Sequence, residues 1–176
     1  ISLKNKQHKE FANLTLQAFR ILLKRDDPKN PDLNSRYAFA ELLFQLEEYR
    51  EASENYEMVG RLSVDPTQKH DAQYSSIVSL EKAIEKKKDD KDLENLIRLG
   101  LIYLKDQPKG QYAEPIQFKV ASLYYQTNNK EEAQKWLTGL SEKLTQIDLK
   151  RKSQDLLLDI LNQKKDYSLL KKYSKK

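Results

Sequence analysis

The sequence predicts an all-α fold built from pairs of helices, on three observations. Charged residues make up 34% of the 176 residues and hydrophobic residues 38%, while helix breakers are scarce, with only four Gly and five Pro. Apolar residues recur every three or four positions, which is the period of an amphipathic helix. A two-helix pattern also recurs, and such a pair has two apolar flanks that it cannot bury alone. We therefore expect about eight or nine helices, in antiparallel pairs stacked side by side.

The first predicted helix covers residues 7–25 and is apolar on two sides. Its stripes are Leu16, Phe19 and Leu23 on one side, and Phe11, Leu14, Ala18, Ile21 and Leu22 on the other. A helix that is apolar on two sides is typical of one packed between two neighbours. The segment DDPKNP over residues 26–31 ends this helix, because proline cannot continue it. Residue 1 is Ile, and we expect the sequence to be a piece of a longer chain.

The clearest helix pair lies within residues 36–66, with a tight turn at residues 47–49. Its inward positions are Phe39, Ala40 and Leu43 on one helix, and Ala52, Tyr56 and Val59 on the other. Ala40 and Ala52 are small, which favours a close approach of the two helices at that level. Asn34 or Ser35 is the expected N-cap of the first helix, since both side chains can accept a backbone hydrogen bond.

The next two predicted helices cover residues 68–87 and 91–105. Asp65 or Thr67 is the expected cap of the first, and the intervening proline suits its first turn. The sequence KKKDDKD between the two helices has no apolar anchor, so it predicts an exposed turn. Gly100 in the second of these helices indicates a neighbouring helix that packs closely against its backbone.

The remaining predicted helices cover residues 112–127, 130–145, 148–163 and 166–173. Asn128 and Asn129 form the expected turn between the first two of them, because asparagine tolerates turn conformations. Asp166 is expected to begin the last helix. These elements complete an all-helical chain with no predicted strand.

Two of these helix pairs place the same types of residue at the same spacing. Phe39, Ala40, Leu43, Ala52, Tyr56 and Val59 stand at the same offsets as Val120, Ala121, Tyr124, Ala133, Leu137 and Leu140. This alternation of large apolar, small and aromatic residues resembles the tetratricopeptide repeat, best over residues 34–66 and 115–145. The resemblance implies an α-solenoid of that type. It would form a single domain over residues 1–176, with 147–176 as C-terminal capping helices.

Several longer phrases resemble large tetratricopeptide proteins of the bacterial cell envelope. They include YAFAELLFQLEEYREASENYEMV and FKVASLYYQTNNKEEAQKWL. Members of that group are found in the periplasm or attached to the outer membrane. The resemblance therefore implies a periplasmic or outer-membrane-associated location, with the cytoplasm as the alternative.

The family resemblance also implies a binding groove, which the first helices of successive pairs line in tetratricopeptide proteins. Carried over to this chain, the groove residues are Asn34, Tyr37, Glu41 and Gln45, and Lys119, Ser122, Tyr125 and Gln126. They imply a peptide or protein partner. Family members that clamp a carboxylate terminus use Lys and Asn at set positions. This chain has Ala38 and Glu41 at two of them, so we do not expect carboxylate capture.

Composition argues against most catalytic and cofactor-dependent functions. The chain has no Cys, which excludes disulfides and Cys-ligated metals, and its two histidines, His8 and His70, lack a metal-ligand spacing. Neither a nucleophile elbow nor a phosphate-binding loop is present. We therefore expect a protein that is not an enzyme and that binds no cofactor or metal. No run of apolar residues is long enough to span a membrane. The sequence lacks the Arg-rich helices that read bases, so we do not expect specific nucleic-acid recognition.

The C-terminal tail is basic and leaves a second functional hypothesis open. From Lys150 onward the chain has nine Lys or Arg residues against Asp155, Asp159 and Asp166. Such a tail is usually a solvated chain end, but it is also compatible with a tether to an anionic surface. A third hypothesis is a structural spacer within a longer repeat protein. The sequence does not predict the oligomeric state.

Overall fold

The computed structural model describes residues 3–27 and 29–174, and the side chains from Glu10 onward within those ranges. The described residues form nine α-helices and no strand, which confirms the predicted all-α class. The helices are α1 (Leu3–Lys24), α2 (Leu33–Gln45), α3 (Tyr49–Leu62), α4 (Pro66–Lys86), α5 (Asp90–Asp106), α6 (Ala113–Gln126), α7 (Lys130–Lys143), α8 (Ile147–Gln163) and α9 (Tyr167–Tyr173).

Aspartate side chains begin three of the helices. The Asp65 carboxylate accepts a hydrogen bond from the N–H of Thr67 at 2.9 Å, as predicted for α4, and Asp166 caps α9. The predicted cap of α2 was wrong. Asp32, and not Asn34 or Ser35, is the N-cap, because its carboxylate accepts the N–H of Ser35 at 3.0 Å. Pro28, in the predicted break, lies outside the described residues.

One turn geometry recurs at the ends of α2, α6 and α8. Glu47, Asn128 and Lys165 adopt positive φ angles of 64°, 60° and 56°. In each case the N–H of the next residue donates to a carbonyl five positions back: Glu48 to Leu43 at 2.9 Å, Asn129 to Tyr124 at 2.9 Å, and Asp166 to Leu161 at 3.0 Å. This bonding pattern is the Schellman motif, which satisfies the last carbonyls of a helix. The connections α2–α3, α6–α7 and α8–α9 therefore have the same backbone form.

The chain divides into two compact units, Ile1–Asp89 and Asp90–Lys176. In the first unit α2 packs against α1 and α3, and α3 packs against α4. The core around α2 consists of Leu16, Phe39, Ala40, Leu43, Ala52 and Tyr56. All the predicted inward positions of α2 and α3 are buried, so the helical phase that the sequence predicted for this pair is confirmed.

Small residues allow α3 and α4 to approach closely. A Cβ atom added to Gly60 would lie 2.8 Å from the Cγ of Gln73 and 3.1 Å from its backbone nitrogen. Nearby, the buried hydroxyl of Ser53 donates to the backbone carbonyl of Ser76 at 2.9 Å. A larger side chain at Gly60 would therefore force the two helices apart.

The two apolar stripes of α1 have different environments. The stripe of Leu16, Phe19 and Leu23 packs into the core of the first unit, and the ring centroids of Phe19 and Phe39 are 5.7 Å apart. The other stripe is exposed, with Phe11 at 70%. Helix α1 is thus covered on one of its two apolar sides in the part of the chain that the structure describes.

The second unit contains α5–α9. Helix α6 packs against α5, α7 and α8, while α8 also packs against α7 and α9. Its core consists of Ala121, Ala133, Leu137, Leu140, Leu144, Leu157, Ile160, Leu161 and Tyr173. A Cβ atom on Gly100 would lie 2.7 Å from Cγ2 of Val120, which confirms the predicted close contact at that glycine. In α9, Tyr167 of the first turn is exposed, whereas Tyr173 at the end of the helix is buried in this core.

Candidate functional site

The predicted groove residues fall on two helices, one in each unit. Asn34, Tyr37, Glu41 and Gln45 lie on α2 of the first unit, and Lys119, Ser122, Tyr125 and Gln126 lie on α6 of the second. The first set follows a spacing of three or four residues, and in the second set Tyr125 and Gln126 stand three and four residues after Ser122, so each set lies on one side of its helix. The structure therefore brings the residues together as two sets of four, one on each unit.

Two of the predicted residues on α2 connect that helix to α4. The side-chain oxygen Oδ1 of Asn34 accepts a hydrogen bond from Nε2 of Gln68 at 2.8 Å. The hydroxyl of Tyr37 is hydrogen-bonded to the side chain of Ser75, further along α4. These contacts lie at the edge of a face that we call the α2–α4 surface. This surface is formed by Tyr37, Glu41, Phe44, Tyr56, Tyr74, Ser75 and Val78.

A pocket of about 170 Å³ opens on the α2–α4 surface. Three helices supply its walls: Glu41 and Phe44 from α2, Tyr56 from α3, and Tyr74, Ser75 and Val78 from α4. The walls are mostly aromatic and aliphatic carbon, with one carboxylate among them. Apolar walls with a few polar groups among them are typical of ligand-binding pockets.

A hydrogen bond from a buried tyrosine fixes the position of that carboxylate. The O–H of Tyr56 donates to Oε1 of Glu41 at 2.5 Å, and the ring of Tyr37 meets the ring of Tyr56 edge-on with centroids 5.4 Å apart. Burial, and next the hydrogen bond to Glu41, raise the pKa of Tyr56 well above its ordinary value. Tyr56 therefore stays protonated at neutral pH and keeps donating to Glu41.

Gln45 is the one predicted residue of α2 that takes no part in this arrangement. It is the last residue of the helix and is exposed, and it is not among the residues that line the pocket. Of the other three predicted residues on α2, Glu41 therefore lines the pocket, Tyr37 lies at its border, and Asn34 contacts α4.

In the second unit the predicted residue with the clearest contact is Tyr125. Its O–H donates to Oδ2 of Asp159 on α8, and the same oxygen accepts Nε2 of Gln163 at 2.6 Å. The hydrogen bond to Asp159, and then burial, raise the pKa of Tyr125. This hydroxyl joins α6 to α8, so the face of α6 with the predicted residues borders α8.

The other three predicted residues of α6 differ in exposure. Lys119 and Gln126 are exposed, while Ser122 is half-buried. The Oγ atom of Ser122 is buried and has no hydrogen-bond partner among the described residues. A buried hydroxyl without a partner is uncommon, because leaving it unpaired costs free energy.

Several residues of these surfaces were not predicted from the sequence. Tyr74, Ser75 and Val78 were missed because the repeat pattern is degenerate in α4, so positions were carried over only to α2 and α6. The four-residue spacing of Tyr74 and Val78 was the available signal. Tyr56 was predicted as a core residue, and its ring is one, but its hydroxyl also reaches the pocket.

Neither surface has the arrangement of a metal site. Among residues 3–27 and 29–174, no three His, Cys, Asp or Glu side chains come together in a group that would hold a metal ion. No described helix combines the length and the apolar character needed to cross a membrane. What the α2–α4 surface offers is aromatic faces, one carboxylate and hydroxyl groups, which suit non-covalent binding of a side chain.

No protein-family model matches the chain, and a search of curated proteins yields no match. The resemblance to the tetratricopeptide repeat therefore depends on the residues and spacings of this chain.

Proposed function

We propose that this chain is a non-catalytic interaction module that binds a peptide segment of a partner protein. The observation that carries the proposal is the pocket on the α2–α4 surface, to which three helices contribute. Its aromatic walls and fixed carboxylate provide both apolar contact area and a polar anchor. Tyrosine-rich surfaces of this kind supply much of the binding energy in protein recognition.

We also propose the finer architecture, in which the antiparallel helix pairs within each unit stack as in a tetratricopeptide-like α-solenoid. The shared turn at Glu47, Asn128 and Lys165 supports it, because repeats of one family end their first helices in the same way. Phe39, Val120 and Leu157 stand at one common offset before these turn residues, and all three are buried. In such a solenoid the side of the first helices forms the groove that receives the ligand.

Panning a library of random peptides displayed on phage against the whole chain tests the proposed function. We expect peptides to be selected, and their affinity to fall about tenfold or more in Tyr37→Ala, the loss typical of an aromatic hot spot. Tyr125→Ala tests, in the same way, the face of α6 that carries the four predicted residues. Tyr167→Ala is the matched control, because Tyr167 is exposed on α9 and belongs neither to the α2–α4 surface nor to the predicted residues of α6.

Thermal melts of each variant establish that it is folded. Tyr74→Ala provides a second truncation of the pocket wall should Tyr37→Ala unfold. Peptides that bind all variants as tightly as the original chain would overturn groove binding. That result would favour the competing hypothesis, a structural spacer in which the helix ends matter and the groove does not.

The basic C-terminal tail offers less support for a tether to an anionic surface. Nζ of Lys164 lies 3.3 Å from Oε1 of Glu131 and donates to the side-chain oxygen of Gln134 at 2.8 Å, so this lysine is engaged within its own unit. Lys175 and Lys176, the last two basic residues, lie outside the described residues. Peptide binding therefore remains our preferred function.

For the location of the protein we propose the bacterial periplasm or the surface of the outer membrane. The support is the likeness of its longer phrases to envelope tetratricopeptide proteins. The cytoplasm is the alternative, and fractionation of cells that express the full-length protein decides between the two.

A further inference from the structure

The residues that line the α2–α4 pocket carry a single charge, which is the negative charge of Glu41. Glu41 is exposed, and Tyr56 occupies its Oε1, whereas its Oε2 has no hydrogen-bond or ion-pair partner among the described residues. Asp71 stands on α4 one turn before Tyr74. Burial raises the pKa of Tyr37, and the negative charges of Glu41 and, to a lesser extent, Asp71 raise it further. None of the residues that line the pocket is Lys, Arg or His.

The carbon walls of the pocket complement a long side chain that ends in a charge. Phe44, Tyr74 and Val78 are half-buried, so part of each remains available for contact. Aliphatic stems pack on such walls, and a cation is attracted to the face of an aromatic ring. A guanidinium group also stacks on aromatic rings, which an ammonium group does not do equally well.

The size of the pocket limits the ligand to about one side chain. Pockets for cofactors and drug-sized molecules usually measure about 300–1,000 Å³. This pocket measures about 170 Å³. It is therefore suited to one anchoring residue of a longer peptide that lies across the surface.

We infer that the α2–α4 pocket receives an arginine side chain of the bound peptide, whose guanidinium pairs with the Glu41 carboxylate and stacks on the aromatic walls. The inference rests on the proposed function and names the chemistry of the partner, a peptide segment with a basic residue. The hydrogen bond from Tyr56 holds the carboxylate in position before the peptide arrives, so little freedom is lost on binding. An acidic peptide is repelled by the same carboxylate.

The test uses the peptides selected by phage display on the whole chain. We expect these peptides to share an arginine. Replacing it with norleucine, which keeps the stem and removes the charge, should weaken binding about tenfold or more, because hydrogen bonds to charged groups are the stronger class. Lysine at that position should give an intermediate affinity, since it keeps the charge and loses the planar group.

Glu41→Gln separates the carboxylate from the rest of the pocket. Its side-chain oxygen can still accept the O–H of Tyr56, so the fold is expected to stay intact, and a thermal melt checks this. In this variant the arginine and norleucine peptides should bind about equally. Glu54→Gln is the matched control, because it makes the same change of charge at an exposed position of α3 outside the pocket, and there the arginine preference should persist.

The outcomes distinguish this inference from the function on which it rests. Peptides that lose affinity in Tyr37→Ala but show no preference for arginine would overturn the inference and leave groove binding in place. Peptides that lose affinity only in Tyr125→Ala would overturn the inference and place the binding site on α6. Peptides that bind every variant as tightly as the original chain would overturn both. Equal losses in Glu41→Gln and Glu54→Gln would mean that the net charge of the unit, and not the pocket, attracts the peptide, and the inference would fail.

Discussion

At the scale of single residues, two glycines inside helices have opposite surroundings. A Cβ atom on Gly60 would press against Gln73 of α4, at 2.8 Å from its Cγ, whereas a Cβ atom on Gly139 of α7 would meet nothing within 4 Å. In an exposed helix interior, glycine lowers the free energy of unfolding by up to about 1 kcal/mol relative to alanine. At Gly60 that cost is offset by the close packing of α3 on α4, and at Gly139 no contact offsets it.

We therefore expect alanine to change stability in opposite directions at the two sites. Gly139→Ala should stabilise the protein by about 0.5–1 kcal/mol, the gain in helix propensity. Gly60→Ala should have a net destabilising effect of about 1 kcal/mol, because overpacking outweighs the same gain. Urea unfolding of both variants measures the two free energies. A stabilised Gly60→Ala variant would mean that α3 and α4 are not in the tight contact described here.

Prediction of single residues from the sequence was correct where side-chain size and helical spacing determine whether a residue is buried. Ala52 and Ala133 were identified by their spacing, and both are fully buried. The N-cap of α2 was missed because Asp32 and Ser35 are both good cap residues, and only the backbone shows which one reaches an unpaired N–H. For Tyr56 the spacing predicted that the ring is buried, but spacing along a helix does not show what the hydroxyl contacts.

At the scale of elements, one side chain links the start of α6 to the connection before α8. The Glu114 carboxylate accepts the backbone N–H and the hydroxyl of Thr145 at 3.0 and 2.8 Å, and the N–H of Gln146 at 3.0 Å. The hydrogen bonds from Thr145 lower the pKa of Glu114 below its ordinary value of 4.5. Because a lowered pKa means that the folded state favours the charged form, this carboxylate stabilises the fold when it is ionised.

The contribution of Glu114 to the stability of the fold should be present at neutral pH and lost in acid. It is fully present above about pH 4.5, the ordinary pKa of the side chain, and is lost as the pH falls through the lowered pKa of the folded state. Glu114→Gln should therefore melt at a lower temperature than the original chain at neutral pH, and the gap should narrow in acid. Glu54→Gln, whose carboxylate has no such contacts, is the control. A difference in melting temperature that stays constant from neutral to acidic pH would rule out the charge of Glu114 as the source of the stabilisation.

The elements themselves were predictable because the sequence marks their ends clearly. Proline, aspartate and asparagine stand at the connections, and the predicted and observed ends of α5–α9 differ by two residues or fewer. The surfaces between elements were less predictable. The pocket depends on α4, whose repeat pattern is degenerate, so a family pattern could not assign Tyr74 or Val78 to the site. Contacts between side chains of different helices follow from packing, which spacing along one helix does not describe.

At the scale of the molecule, the notable feature is the division between Asp89 and Asp90. The KKKDDKD segment, residues 86–92, spans this division and was predicted to be an exposed turn, and residues 86–91 are indeed exposed. Each unit has a core of its own, one around Leu43 and the other around Leu137. Whether residues 1–176 behave as one continuous repeat domain or as two folding units is a question of stability that proteolysis can answer.

We expect trypsin to cut the whole chain first at residues 86–88, where exposed lysines form the connection. Because each unit buries its own apolar core, both fragments should then remain helical and resist further digestion, although units of this size are only modestly stable. Circular dichroism and melting of the cut protein measure this, and the uncut chain is the control. A continuous repeat array behaves differently, since its repeats stabilise one another through their interfaces. If cutting at the lysines caused both fragments to lose their helical signal, the single-domain prediction would be favoured over two independent units.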